Sequence, residues 1–192
     1  MNKIIRMIVF YLILIALLIS YFVFYHSPVR LEHGVYISQI EPVPSFELVD
    51  NQGNVFSETK LKGHWSLLFF GFSRCKMVCP LTMSVLKQVY EQLPPAKRPQ
   101  IIFISVDPEH DSIQELNQFV HQFNEHFIAL RGPMSVINSL QKQLHITVSA
   151  SPMSHGTEIL LINPEARIQA YFYYPIATRE LVTDLNRLID LH

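Results

Sequence analysis

Residues Met7 to Tyr25, MIVFYLILIALLISYFVFY, run for 19 positions without a charge, a glycine or a proline. Such a stretch has no polar face for water. As an α-helix at about 1.5 Å rise per residue it nearly covers the roughly 30 Å hydrocarbon core of a bilayer. A cleaved secretory signal has a shorter apolar region, roughly 7–15 residues, and small residues at its cleavage site. This run is longer, ends in Tyr21, Phe22, Phe24 and Tyr25, and carries no Ala-x-Ala pattern. It is read as an uncleaved single-pass anchor, residues 1–25. Lys3 and Arg6 precede the span, and Arg30 is the nearest fixed positive charge after it. That bias sets the N-terminus inside and the rest of the chain on the non-cytoplasmic side. No Arg- and Ser-rich presequence precedes the run, so the expected setting is a bacterial inner membrane with a periplasmic C-terminal domain.

Beyond the anchor, residues 26–44 carry Pro28, Pro42 and Pro44 and read as a tether. Residues 45–192 read as one domain. The net charge of −1 and the lack of a Lys/Arg cluster exclude nucleic acid as an expected partner. SFELVDNQGNVFSETKLKG predicts a hairpin with an Asn-Gln-Gly-Asn turn. WSLLFFGF and QIIFISV are unbroken apolar runs of strand length, suited to strands covered on both faces. PLTMSVLKQVYEQL places Leu81, Val85, Leu86, Val89 and Leu93 at helical spacing. SIQELNQFVHQF opens with Ser112 and Glu115 in a capping-box pattern. FIAL predicts a strand, MSVINSLQKQL a helix, and TEILLINPEARIQAYFYY two strands joined at Asn163–Ala166. TRELVTDLNRLIDL predicts a terminal helix with a core face of Leu181, Val182, Leu185, Leu188 and Ile189. Hairpin, βα, βα, βα, hairpin and helix make an α/β, thioredoxin-like fold: a mixed central sheet flanked by helices, with an N-terminal β-hairpin extension.

The only two cysteines lie in GFSRCKMVCPLTM, where the first buried strand gives way to a helix. Pro80 at a first helical position would make Cys79 the N-cap. The free N–H groups and positive dipole end would then face its sulfur and favour the thiolate, with Arg74 and Lys76 adding positive charge. A disulfide closing so short a loop would stabilise little, so thiolate chemistry is the better reading. With three residues between the cysteines, the loop can close a disulfide or turn both sulfurs on one ion. Two thiolates need a third ligand, and His155 in SPMSHGTEILLIN, just ahead of the terminal hairpin, is the candidate. Two soft thiolates and an imidazole suit copper, with zinc as the competitor. Met77 and Met153 are read as gap-filling or exposed methionines, and Asp107 as a turn or cap residue. His64, at the opposite end of the first buried strand from Cys75, is read as a surface residue, and His110, His121, His126, His145 and His192 show no partner spacing.

LLFFGFSRCKMVCPLTM, FISVDPEHDSIQELNQFV and SHGTEILLINPEARIQAYF, together with the anchor, resemble the SCO/SenC family of membrane-anchored, thioredoxin-like copper proteins. The resemblance spans nearly the whole chain. It implies Cys75, Cys79 and His155 as ligands for Cu(I) and/or Cu(II). It also implies copper delivery to, or thiol reduction of, the binuclear copper centre of cytochrome c oxidase, with a copper-accepting oxidase subunit or another periplasmic thiol or copper protein as partner. Three departures stand out. Met77 and Ser154 occupy places where the family usually has acidic residues, and the stretch before His155 is short. The alternative is a thiol–disulfide oxidoreductase without a stable metal site, in which Cys75 and Cys79 are the catalytic redox pair and His155 tunes them. A third class is a non-binding relative with a docking role. Peroxidase chemistry is not expected, because both cysteines lie in one turn with no arginine–threonine pocket beside them.

Overall fold

The apolar run folds as one helix, α1 (Lys3–Tyr25), long and apolar enough over Lys3–Phe22 to cross a membrane. The computed structural model describes residues 2–25, 31–37, 41–146 and 157–191. The chain divides into two units, Met1–Arg30 and Leu31–His192.

The second unit is built on one eight-stranded sheet: β1 (Val35–Tyr36), β2 (Glu47–Asp50), β3 (Val55–Ser57), β4 (Ser66–Gly71), β5 (Gln100–Ser105), β6 (Ile128–Arg131), β7 (Glu158–Ile162) and β8 (Ile168–Tyr173). The spatial order is β1-β8-β7-β4-β5-β6-β2-β3. β4, β5 and β6 are parallel, with Phe69 level with Phe103 and Gly71 with Ser105. β7 joins β4 antiparallel, with Ile159 opposite Phe69, and β8 and β1 extend that side. The predicted hairpin β2–β3 attaches to β6, where Val49 pairs with Arg131. Helices α2 (Val78–Gln92), α3 (Ile113–His121) and α4 (Met134–Gln143) lie between strands, and α5 (Thr178–Asp190) closes the chain.

The apolar strands are central ones and bury both faces, which is why their sequences do not alternate. On one face Leu68, Phe70, Ile102, Ile104 and Leu160 share a core with Leu48 and Phe56 of the hairpin and Ile137 and Leu140 of α4. On the other, Leu67, Phe69, Ile101, Phe103, Ile159 and Leu161 are equally buried. There the Phe103 ring sits 5.0 Å from Phe119 of α3, and α2 packs beside α5. The thioredoxin-like, mixed-sheet expectation matches this architecture.

One element differs from the sequence reading. Residues 31–37, read as tether, belong to the second unit: β1 pairs with β8, Val35 opposite Tyr171. The buried Asp184 carboxylate of α5 accepts the backbone N–H groups of Glu32, His33 and Gly34 at 2.9–3.0 Å. A two-residue strand offers no periodicity, and an acceptor about 150 positions away leaves no local pattern.

Candidate dithiol site

β4 ends at Gly71, and the chain turns through Phe72–Met77 into α2, so the cysteines stand at the C-terminal edge of the parallel strands. No disulfide joins them. Cys79 is completely buried, at 0% exposure, in the first turn of α2, whereas Cys75 is partly exposed. The Cys79 N–H donates to Cys75 Sγ at 3.4 Å, and the Cys75 N–H donates to the Phe72 carbonyl at 3.2 Å. Phe103 and Cys79 crowd Gly71: a Cβ there would stand 2.7 Å from Cys79 Sγ and 2.8 Å from a Phe103 ring carbon.

The expectation that Cys79 is the N-cap is corrected. Met77 is the N-cap, no side chain of its own caps the helix, and Val78, Cys79 and Pro80 form the first turn. Proline is tolerated there because its missing N–H would have had no intrahelical partner. Cys75 Sγ takes the Cys79 N–H, the work a Ser or Asp oxygen does at an ordinary N-cap. The helix N-terminus therefore faces Cys75 rather than Cys79. Partial burial pushes the Cys75 thiol up. The backbone N–H groups of Cys79, Met77 and Val78 and the Cys79 side chain outweigh it, and the net direction is down. For Cys79 burial dominates and pushes the thiol strongly up; Cys75 and Asp111 add to this, against the Phe72 backbone. The pair is asymmetric: a partly exposed sulfur whose thiol is lowered, and a buried one whose thiol is raised.

Arg74, expected to add positive charge beside the cysteines, is paired with Asp107 instead. Its Nη2 donates to Asp107 at 2.8 Å, and His110 Nδ1 lies 2.8 Å from the other Asp107 oxygen. Some burial raises the Asp107 carboxyl, but His110 and Arg74 hold it below its ordinary value. Asp107 is thus a turn residue as read, and a clamp on the cysteine loop as well. His110 has a partner that its sequence spacing did not reveal.

Sequence reasoning missed Asp111. Its carboxylate is fully buried and accepts the Ser73 N–H at 3.2–3.3 Å, the Ser73 hydroxyl at 2.5 Å and the Ser105 hydroxyl at 2.6 Å. The signal available was a second aspartate four residues after Asp107, just ahead of the Ser112 cap. Met77 is 67% exposed and Leu81 48% exposed, leaving an apolar lip beside Cys75.

Cys75 and Cys79 are brought together as expected. His155, Ser154 and Met153 lie outside the described residues. Among the described residues no group of three or more His, Cys, Asp or Glu is placed to hold a metal ion.

The SCO1/SenC family model matches residues 37–190. An SCO2-like protein of Rickettsia prowazekii is 29% identical over 166 residues, covering 81% of each chain. The solution structure of apo Sco1 from Thermus thermophilus superposes with a TM-score of 0.71 at 30% identity, covering 82% of this chain and 98% of that one. The copper-bound ScoI of Bradyrhizobium japonicum superposes with a TM-score of 0.62 at 26% identity, covering 77% and 99%. With a family match over residues 37–190, on a thioredoxin-like sheet that carries a dithiol at its first crossover, the chain belongs to the SCO1/SenC family.

Proposed function

We propose that this chain is a membrane-anchored copper protein that helps assemble the binuclear copper centre of cytochrome c oxidase. It does so by delivering copper, by keeping the acceptor's thiols reduced, or by both. The observation that carries the reading is the pairing of Cys75 and Cys79 in one turn, with Cys75 Sγ accepting the Cys79 N–H at the α2 N-terminus. Two thiols in one short loop are a soft donor set that suits Cu(I). Further support is the copper-bound Bradyrhizobium relative and the standing of the Sco family as cytochrome c oxidase assembly proteins.

Cys75, Cys79 and His155 are the proposed ligands. β7 runs antiparallel to β4, so the chain enters β7 at the end of the sheet where β4 delivers the cysteine loop. His155 precedes Glu158, the first residue of β7, by three positions. Copper is the cargo. Cys75, partly exposed and the more acidic of the two thiols, is the sulfur that an incoming ligand reaches; Cys79 holds the ion from the buried side. Binding displaces the thiol protons, which leave to solvent. The acceptor is a copper-accepting oxidase subunit or another periplasmic thiol or copper protein. The anchor lies in a bacterial inner membrane with residues 45–192 as a periplasmic domain, an orientation supported by Lys3 and Arg6 ahead of the span.

The exposed and buried thiols also support the second reading, a thiol–disulfide oxidoreductase. Cys75 attacks a partner disulfide, and Cys79 then displaces the partner from the mixed disulfide. Copper stoichiometry on the reduced full chain in detergent separates the two. One Cu(I) per chain in the wild type, lost in Cys75→Ser and weakened in His155→Ala, is the expected result. No binding by the wild type, with disulfide exchange intact, would leave the oxidoreductase.

A further inference from the structure

We infer that Asp111 is a positioning residue of the dithiol, acting through Ser73 to hold the cysteine loop against the α2 N-terminus. The inference rests on the reading of Cys75 and Cys79 as the functional pair.

Asp111 sits on the turn between β5 and α3, outside the cysteine motif, and is 0% exposed. Its carboxylate accepts a backbone N–H and two hydroxyls, and among the described residues no arginine or lysine pairs with it. Burying a carboxyl group is costly unless its oxygens are hydrogen-bonded, and these bonds offset that cost. The bonds chosen here tie three pieces of backbone together. Ser73 lies two residues before Cys75 and gives Asp111 both its N–H and its hydroxyl. Ser105 ends β5, and its hydroxyl oxygen accepts the Asp107 N–H at 3.2 Å. The Asp111 N–H in turn donates to the Asp107 carbonyl at 2.9 Å. Asp107 pairs with Arg74, the residue between Ser73 and Cys75. The 105–111 turn therefore grips the cysteine loop at two consecutive residues, once in the core through Asp111 and once at the surface through Asp107. What the grip fixes is the approach of Cys75 Sγ to the Cys79 N–H, a contact of 3.4 Å. A loop free to swing there would lose the donors that stabilise the reduced form of Cys75.

The test reads the Cys75–Cys79 disulfide equilibrium in a glutathione buffer, on the full chain in detergent. In that reaction one glutathione thiolate attacks the Cys75 sulfur, breaking the disulfide and releasing Cys79, which takes up a proton. A second glutathione attacks the mixed disulfide, giving oxidised glutathione and the Cys75 thiol. Two thiols are oxidised and one protein disulfide is reduced. Ser73→Ala removes the hydroxyl from the grip and leaves Asp111 in place. Asp111→Asn keeps the shape and removes the charge. Ser73→Thr restores the hydroxyl. Ser66→Ala, which deletes another buried serine hydroxyl, bonded to Gln100 at 3.1 Å, is the control for stability alone.

The expected result is an equilibrium shifted toward the disulfide about tenfold in Ser73→Ala and Asp111→Asn, equivalent to roughly 30 mV. Ser73→Thr returns to within about twofold of wild type, and Ser66→Ala does not shift. Ser73→Ala within about twofold of wild type, or an equal shift in Ser66→Ala, overturns the inference, whether or not Asp111→Asn folds. Because this readout involves no metal, failure of copper binding by the wild type would sink the copper reading and leave this one standing.

Discussion

At Gly71 a single hydrogen atom decides the geometry of the site. A methyl group there meets Cys79 Sγ and the Phe103 ring at less than 3 Å. Both neighbours are fully buried and cannot step aside. Gly71→Ala is expected to cost about 1–3 kcal/mol as overpacking, read as a lower urea midpoint, and to make Cys79 accessible to a thiol reagent in the native state. In the wild type, alkylation of the reduced chain is expected to label Cys75 at least about a hundredfold faster than Cys79, measured by peptide mapping after brief iodoacetamide exposure. The pH dependence has a definite sign. The Cys75 thiol is lowered on folding, so its labelling persists at pH values where an unfolded cysteine has stopped reacting. The stability its thiolate contributes is fully present above the unfolded value and is lost as pH falls through the folded one. A labelling midpoint at or above that of the urea-unfolded chain would contradict this. That a cysteine of this turn faces a helix N-terminus was legible from a strand followed by Cys-x-x-x-Cys-Pro. Which sulfur it is was not. Pro80 suggested a helix starting at Pro80 with Cys79 as its N-cap, whereas the helix begins at Val78 and the sulfur of Cys75 accepts the Cys79 N–H.

Elements with local signatures were read correctly, and those with remote partners were missed. The capping box of α3 is present in full: the Glu115 N–H donates to Ser112 Oγ at 3.2 Å, and Glu115 Oε2 accepts the Ser112 N–H at 2.9 Å. Ser112→Ala is expected to cost about 1 kcal/mol, read by chemical denaturation. β1 is the opposite case. Its attachment depends on Asp184, a core residue of an otherwise well-predicted helix, whose two oxygens serve the N–H groups of residues 32–34. Gly34 is required because any Cβ there would collide with the Phe172 ring. Asp184→Ala leaves three N–H groups without their acceptor and is expected to cost about 3 kcal/mol, with protease cleavage appearing within residues 31–37. Unchanged stability together with an uncleaved segment would mean that β1 is held by its strand pairing with β8 alone.

Across the whole molecule, the order of strands and helices followed from where apolar runs alternate with helical spacing, because a parallel sheet buried on both faces leaves that pattern in the sequence. The same order brings the turn after β4 and the turn after β5 to one edge of the sheet, so that residues 73–79 and 105–111 form one site although only the first carries cysteines. Binding energy at that edge is shared by the cooperative fold of residues 31–191, which yields a prediction for copper. A ligand that binds only the native state stabilises it by about 2.7 kcal/mol when free ligand is a hundredfold above Kd. For a unit of this size that is roughly 6–10 °C in Tm. The reduced wild type is therefore expected to melt higher in buffered Cu(I), and Cys75→Ser is not. Each thiol gives up its proton to bind, so the copper-dependent rise in Tm should grow between pH 6 and pH 8. A rise of equal size at both pH values would mean that the ion is held by groups other than these two sulfurs, and a rise that survives Cys75→Ser would move the site away from the turn altogether.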